Sequence, residues 1–211
     1  MGNIFDASIQ LMGFQNMFEK LIDEPDLVGR VMDRIGEIQV EVFDIVSKMD
    51  VVGAIWNHDD IAYSTALMVA PRHLRDHLWP WYKEMCRISQ GRGKPIIYHS
   101  DGKLDSVLDD IVGCGFDTLH PIEPKAMDIV QVKRQYGDRL SLIGNIDLGY
   151  TLTRGTPEEV EAEVRQRIRE LAPGGGYAVS SANTITEYVP LANFNALREA
   201  VFKYGRYPIK A

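Results

Sequence analysis

The sequence predicts an α/β protein in which parallel strands alternate with helices, arranged as a (β/α) barrel. Short apolar runs alternate with amphipathic helical segments along the chain, and polar residues follow each run at its carboxyl end. Strands this apolar must be covered by helices, which is typical of a parallel sheet. A doubly wound sheet is the competing arrangement. Its glycine fingerprint should follow a strand and open a helix, whereas glycines 174–176 precede a strand.

The helices are predicted from apolar residues at three- and four-residue steps. One helix follows Pro25 and covers about 26–49, and the next begins near Pro71. Later helices are expected at about 104–112, 127–136, 157–171 and 189–204. Residues 156–159 form a capping box in which proline takes the first helical position, so the helix at 157–171 has a defined start.

Five apolar runs are predicted as strands, at 51–56, 95–99, 116–122, 140–146 and 177–181. A closed barrel needs eight strands within about 250 residues. The first 25 residues indicate loop and helix without a convincing strand. We therefore expect one domain over 1–211 that forms an incomplete (β/α)8-type barrel of about five carboxyl-terminal units. Either the chain is a truncated piece of a longer enzyme, or the missing strands come from elsewhere.

The composition argues against a nucleic-acid-binding, membrane-spanning or secreted protein. The net charge of −7 without a clustered basic stripe argues against nucleic acid as a partner. No apolar run approaches the roughly 20 residues needed to span a bilayer, and no secretion signal is indicated. Two cysteines are too few for a disulfide framework and favour a reducing cytoplasm. We expect a cytoplasmic enzyme with a small-molecule substrate.

Polar side chains follow all five predicted strands, and in parallel folds these strand ends converge on the active site. His99 and Asp101 are two residues apart, so in extended chain they project to the same side, and Glu123 ends the next strand. One imidazole and two carboxylates suit a divalent metal such as zinc, or an acid–base pair. The alternative is that His99 and Asp101 cap the following helix, with Gly102 in a tight turn, and that Glu123 is a solvated charge.

The other strand-end groups are weaker candidates. Asp60 and Asp147 are included as catalytic candidates, although Asp59 and Asp60 can equally cap the stretch before Pro71. His120 is expected to be a buried core histidine whose ring nitrogens have hydrogen-bond partners. The remaining features have structural interpretations: packing for the stripe Trp79, Trp81 and Tyr82, and a turn with positive φ for glycines 174–176.

Several segments in order resemble the uroporphyrinogen decarboxylase superfamily. They are residues 99–102, 113–117, 121–124, 144–147, 171–177, 190–193 and 204–205. The likeness covers the chain from Phe14 onward. It implies a TIM barrel, and it implies that roughly the first third of the family's chain is missing, which accounts for the shortage of strands.

The resemblance implies one of two chemistries: decarboxylation of uroporphyrinogen without a cofactor, or methyl transfer by zinc enzymes that work with corrinoid proteins or coenzyme M. Zinc in the methyltransferases is held by a histidine, a cysteine two residues later, a carboxylate and a second cysteine. These positions fall here on His99, Asp101, Glu123 and Gly175. Both thiolates are therefore replaced, which leaves a harder site suited to oxygen-bearing substrates such as methyl ethers.

The resemblance therefore favours a corrinoid-linked methyltransferase that demethylates methoxylated compounds. Its metal would be held by His99, Asp101 and Glu123, and the methyl group would pass to a corrinoid on a partner protein. Uroporphyrinogen decarboxylase is the alternative, although no late histidine stands between Gly174 and Asn183. A non-catalytic partner-binding fragment is the third hypothesis. An open half-barrel would expose sheet edge and apolar surface, so association of copies is also expected.

Overall fold

The structure is a computed structural model that describes residues 2–209. Its helices are α1 Ile4–Met12, α2 Phe14–Asp23, α3 Pro25–Ser47, α4 Pro71–His77, α5 Trp79–Gln90, α6 Leu108–Cys114, α7 Ile129–Tyr136, α8 Thr151–Arg154, α9 Pro157–Leu171 and α10 Leu191–Tyr204. Its strands are β1 Ile55–His58, β2 Ile96–His99, β3 Thr118–His120, β4 Ser141–Ile146 and β5 Tyr177–Ser181. A short 3-10 turn, Asp105–Val107, precedes α6.

The five strands form one sheet in which spatial order follows chain order, β1 to β5. β1 pairs in parallel with β2, and β4 pairs in parallel with β5. Helices separate the strands along the chain, which confirms the predicted α/β class. None of the described helices is both long and apolar enough to cross a membrane.

The chain divides into two compact units, Met1–Thr118 and Leu119–Ala211, of which the structure describes 2–118 and 119–209. The expectation of a single domain over 1–211 stays a prediction.

An aromatic cluster forms part of the core of the first unit. Tyr82 and Tyr98 are fully buried, and the Tyr98 ring stacks on Phe116 with centroids 4.8 Å apart. Trp79 packs against both tyrosines. Trp81 lies at the edge and donates from Nε1 to Asp33 Oδ1 at 2.9 Å. The aromatic stripe therefore packs the α5 helix, as the sequence predicts.

The core of the second unit forms between α9, α10 and the strands β4 and β5. Its buried members include Ile146, Leu152, Val160, Val164 and Ile168. The predicted capping box is present at the start of α9, with the Thr156 side chain and Glu159 bonded to each other's backbone amides. Glycines 174–176 have φ values of 84°, 87° and 66°, as predicted for the turn into β5.

Several element boundaries differ from the prediction, among them that of α6, which begins at Leu108 instead of about 104. The first strand covers Ile55–His58 instead of 51–56, and Val51 is 94% exposed. The single helix predicted from Pro71 is observed as two helices, α4 and α5. Pro80 lies in the first turn of α5, where a backbone N–H has no partner within the helix, so proline is tolerated there. The third strand is limited to Thr118–His120 of the predicted 116–122. The residues before Pro25 are helical, as α1 and α2.

Candidate functional site

Two histidines meet at the carboxyl ends of β1 and β2. The parallel register pairs His58 with His99, so the last residues of both strands lie side by side. Their rings are 4.6 Å apart between centroids. Asp60 follows two residues after the end of β1, in the loop above the same edge. Sheet register therefore brings together residues that are about 40 positions apart in the chain.

The three side chains form a compact donor set. His58 Nε2 lies 3.6 Å from Asp60 Oδ2, and His99 Nε2 lies 3.8 Å from Asp60 Oδ1. One nitrogen or oxygen from each residue lies within 4.8 Å of the others. Within 2–209 this is the one group of three or more His, Cys, Asp or Glu side chains close enough to hold a metal ion. Two imidazoles and a carboxylate are ligands that zinc and related divalent metals accept.

Burial sets the charge of His99. The residue is 8% exposed, and this burial lowers the pKa of His99 to about 4. The Asp60 carboxylate opposes the shift, and His58 adds to it. The His99 ring is therefore neutral near pH 7, which is the form that binds metals.

Asp101, predicted as a ligand, lies beside this group. Its Oδ1 is 3.8 Å from His99 Nε2, and its backbone amide donates to Asp60 Oδ1 at 2.8 Å. The caps of the following 3-10 turn and of α6 are Leu104 and Val107, so Asp101 occupies neither cap position. Asp101 thus orients the Asp60 carboxylate through its main chain while its own carboxylate faces the imidazole.

Close contact between two loops fixes this geometry. The backbone amide of Ile61 donates to Ser100 Oγ at 3.2 Å. Gly102 has φ of 86°, and a Cβ atom there would lie 2.5 Å from the carbonyl oxygen of Ala62. The predicted tight turn at Gly102 is confirmed. The absence of a Cβ atom at this position lets the segment that follows β1 approach closely.

Asp59, next to the site, has a structural role. It is fully buried and accepts hydrogen bonds at 2.7 Å from the amides of Phe5 and Asp6, in the first turn of α1, and a further one from Tyr82 Oη. Burial raises the pKa of Asp59 to about 6, although these hydrogen bonds oppose the shift. The alternative that Asp59 and Asp60 cap the short stretch before Pro71 is wrong, because residues 61–70 form no helix; Asp59 bonds the first-turn amides of α1, and Asp60 lies in the cluster with the two histidines.

The remaining predicted residues lie in the second unit. Asp147 accepts from the amides of Gly149 and Tyr150, at 2.8 and 2.9 Å, and so orders the turn into α8. Glu123 is partly buried at the end of the β3 segment. The catalytic roles of Glu123 and Asp147, and the ligand role of Glu123, stay predictions. His120 is 6% exposed with Nε2 3.5 Å from Ser180 Oγ, which fits the predicted core histidine.

His58 is the site residue that sequence reasoning missed. The predicted first strand ends at Trp56 and leaves His58 among the polar residues that follow, whereas His58 is the last residue of β1. The sequence does carry a signal, because the residues that end β1 and β2 are both histidine. Using it requires the strand register, which periodicity along one strand does not supply.

Comparison with known proteins places the chain in a family. The sequence model described as "Uroporphyrinogen decarboxylase (URO-D)" matches residues 1–204. The methylcobamide:CoM methyltransferase MtaA of Methanosarcina barkeri is 34% identical over 112 residues, which cover 51% of this chain and 30% of that protein. The uroporphyrinogen decarboxylase of Coxiella burnetii is 29% identical over 136 residues, covering 62% of this chain and 35% of the relative. The chain spans about a third of the length of these curated relatives.

A solved structure shows the same fold. A methyltransferase from Methanosarcina mazei matches with a TM-score of 0.79 and 19% identity, over 98% of this chain and 58% of the other. At this identity the likeness shows the fold alone. It confirms the predicted fold class, because the chain matches part of a TIM-barrel protein.

Proposed function

The chain belongs to the uroporphyrinogen decarboxylase family, and from that premise we propose that it is a metal-dependent methyltransferase acting on a methoxylated small molecule. The observation that carries this proposal is the cluster of His58, Asp60 and His99 at the strand ends. The relatives named as methyltransferases support the type of reaction. The proposed acceptor of the methyl group is a corrinoid on a partner protein.

The donor atoms fit a divalent metal such as zinc. Two ring nitrogens and one carboxylate oxygen lie within 4.8 Å of one another, and His99 is neutral without having to lose a proton. Asp101 adds a second carboxylate 3.8 Å from His99. The cluster contains no thiolate ligand. A metal held by nitrogen and oxygen ligands is better suited to polarise an oxygen atom of the substrate than to bind a thiol.

The chain's own residues prepare the site for this chemistry. A divalent metal at the cluster would supply Lewis acidity toward an ether oxygen. Asp60 supplies the compensating negative charge, and the Asp101 amide fixes its position. The buried His99 ring lies 6.2 Å, between centroids, from the ring of the half-exposed Trp56. A corrinoid on the partner protein would accept the methyl group, and the substrate oxygen left behind would take up a proton.

Metal binding and methyl transfer test the proposal together. The 211-residue chain should retain about one equivalent of zinc after dialysis, measured by elemental analysis. It should convert cob(I)alamin to methylcobalamin in the presence of a methoxylated aromatic substrate, followed by absorbance. His58→Ala and His99→Ala should each weaken zinc binding at least about tenfold, a change of ~1.4 kcal/mol.

The matched control is His73→Ala, because His73 lies outside the cluster on α4. It should leave the zinc content and the rate unchanged. The metal-dependent proposal fails if wild-type protein retains no zinc, or if His58→Ala and His73→Ala behave alike.

Decarboxylation of uroporphyrinogen is the second candidate, favoured by the relative from Coxiella burnetii that aligns with 62% of this chain. Incubation with uroporphyrinogen and detection of carbon dioxide distinguishes the two. Release of carbon dioxide by the wild type, undiminished after metal chelation, would support decarboxylation in place of methyl transfer.

A further inference from the structure

The long helix α3 carries an apolar stripe that faces away from the core of the first unit. Ile38, Val42 and Ile45 lie on the helix, and Met49 follows its end. All four residues are between 43% and 56% exposed. In the same part of the helix the buried residues are Ile35, Gly36, Phe43 and Ser47. Apolar residues exposed singly are common, but four that share one side of a helix mark an interaction surface.

The spacing of the stripe fits the packing of one helix along another. Successive members are four, three and four residues apart, which is the pattern of apolar seams between helices that cross at a small angle. The last step is kept beyond the end of α3, because the Met49 amide still donates to the Val46 carbonyl oxygen at 3.1 Å. The partner that this surface fits is therefore a second helix with a similar seam.

A second copy of α3 supplies such a seam. Two copies related by a two-fold axis present the same surface to each other, and their helices can run antiparallel. In one antiparallel register, Val42 lies opposite Ile45 of the second copy, and Ile38 lies opposite Met49 of the second copy. The axis also generates the reverse pairs, so every member of both stripes is covered.

The charges beside the stripe select the same register. Glu41 and Lys48 are exposed and flank the stripe on one side, one heptad apart. The antiparallel register sets Glu41 next to Lys48 of the second copy, and symmetry forms this ion pair twice. A slip of one heptad in either direction would instead oppose two Glu41 or two Lys48 side chains. In a parallel pair Glu41 would face the uncharged Val46 of the second copy, so the charges favour the antiparallel arrangement.

Lys48 is available for this contact. Within one chain it pairs with Asp44, and the two side chains are 59% and 36% exposed. Exposed ion pairs of this kind contribute little to stability. Asp44 Oδ1 is also paired with Arg92 Nη2 at 2.5 Å, so the charge of Asp44 stays compensated when Lys48 turns to the second copy.

We propose that the apolar stripe of α3 is the interface of a homodimer in which two α3 helices pack antiparallel about a two-fold axis. Apolar contacts supply the affinity, and the ion pairs at the border fix the register. The interface uses no residue of the cluster formed by His58, Asp60 and His99, so it does not depend on the proposed function.

Sedimentation equilibrium of the complete 211-residue chain tests the surface. The wild type should show a reversible equilibrium between monomer and dimer. Ile45→Gln, which removes an apolar side chain from both copies at once, should weaken the dimer at least about tenfold, ~1.4 kcal/mol. Ile22→Gln makes the same substitution at an 82% exposed position of α2, outside the stripe, and should leave the dissociation constant of the dimer unchanged.

Charge reversal tests the register. Glu41→Lys and Lys48→Glu should each weaken self-association at least about tenfold, since each variant sets like charges opposite each other twice. A mixture of the two variants should form mixed dimers with an affinity within about threefold of the wild type, because every facing pair then has opposite charges.

A monomer at all concentrations up to about 1 mM would overturn the proposal. Equal dimer affinity in Ile45→Gln and Ile22→Gln would also overturn it, because association would then use another surface. Absence of a preference for mixed dimers over self-association would overturn the antiparallel register. If circular dichroism shows that Ile45→Gln fails to fold, the mixture of the two charge variants, which change exposed side chains only, decides the question alone.

Discussion

At the residue scale, the adjacent side chains of Asp59 and Asp60 have different roles because their burial differs. Asp59 is fully buried against the amide groups of α1, whereas Asp60 is partly exposed between two imidazoles. A carboxylate surrounded by backbone donors stabilises the fold, and one surrounded by ring nitrogens can hold a cation. The sequence presents both as adjacent aspartates and does not separate these roles.

The structural role of Asp59 predicts a large stability effect. Asp59→Ala removes the acceptor for the amides of Phe5 and Asp6 and leaves them buried. The free energy of unfolding should fall by about 1–3 kcal/mol, measured by urea denaturation. Asp50→Ala, at an exposed position, should change it by no more than about 0.5 kcal/mol. Similar values for the two variants would rule out this stabilising role of the Asp59 carboxylate.

The turn at Gly102 predicts a contrast between two glycines. Gly102→Ala places a Cβ 2.5 Å from the Ala62 carbonyl oxygen at φ of 86°, so unfolding free energy should fall by about 2 kcal/mol or more. Gly113→Ala, in α6, meets no atom within 4 Å and should stabilise the chain by roughly 0.5–1 kcal/mol. Thermal unfolding of both variants measures the difference, and a stable Gly102→Ala protein would contradict the close approach of the two loops.

At the scale of elements, features encoded by adjacent residues are predicted well. The capping box of α9 and the positive-φ turn before β5 both follow from three or four consecutive residues, and both are confirmed. The first and last residues of β1 are not predicted correctly. A hydrophobic run indicates which residues are buried, but it does not indicate at which residue the hydrogen bonding to β2 begins. Val51 belongs to such a run and is almost fully exposed.

The capping box gives an element-scale prediction. Thr156→Ala leaves the Glu159 amide without its side-chain acceptor, so unfolding free energy should fall by about 1 kcal/mol. Thr65→Ala, at an exposed loop position, is the control and should have little effect. Equal stability of the two variants, by chemical denaturation, would show that the cap contributes nothing.

At the scale of the whole molecule, metal binding should couple to stability. A ligand that binds only folded protein at about 100 times its dissociation constant adds ~2.7 kcal/mol. For a chain of this size that corresponds to a rise in Tm of roughly 5–10 °C. Zinc should produce this rise in the wild type and in His73→Ala, and chelation should reverse it. The rise should be lost in His99→Ala, and its persistence there would place the metal elsewhere.

The sequence by itself determined the α/β class, the alternation of helices and strands, and the position of His99 and Asp101 at a strand end. These depend on periodicity and on chain neighbours. Tertiary structure decided that His58 and Asp60 join His99, and that Asp59 turns to α1. The physical reason is that parallel register and burial bring together residues 39 to 54 positions apart, and no repeat along a single strand or helix encodes which of them meet.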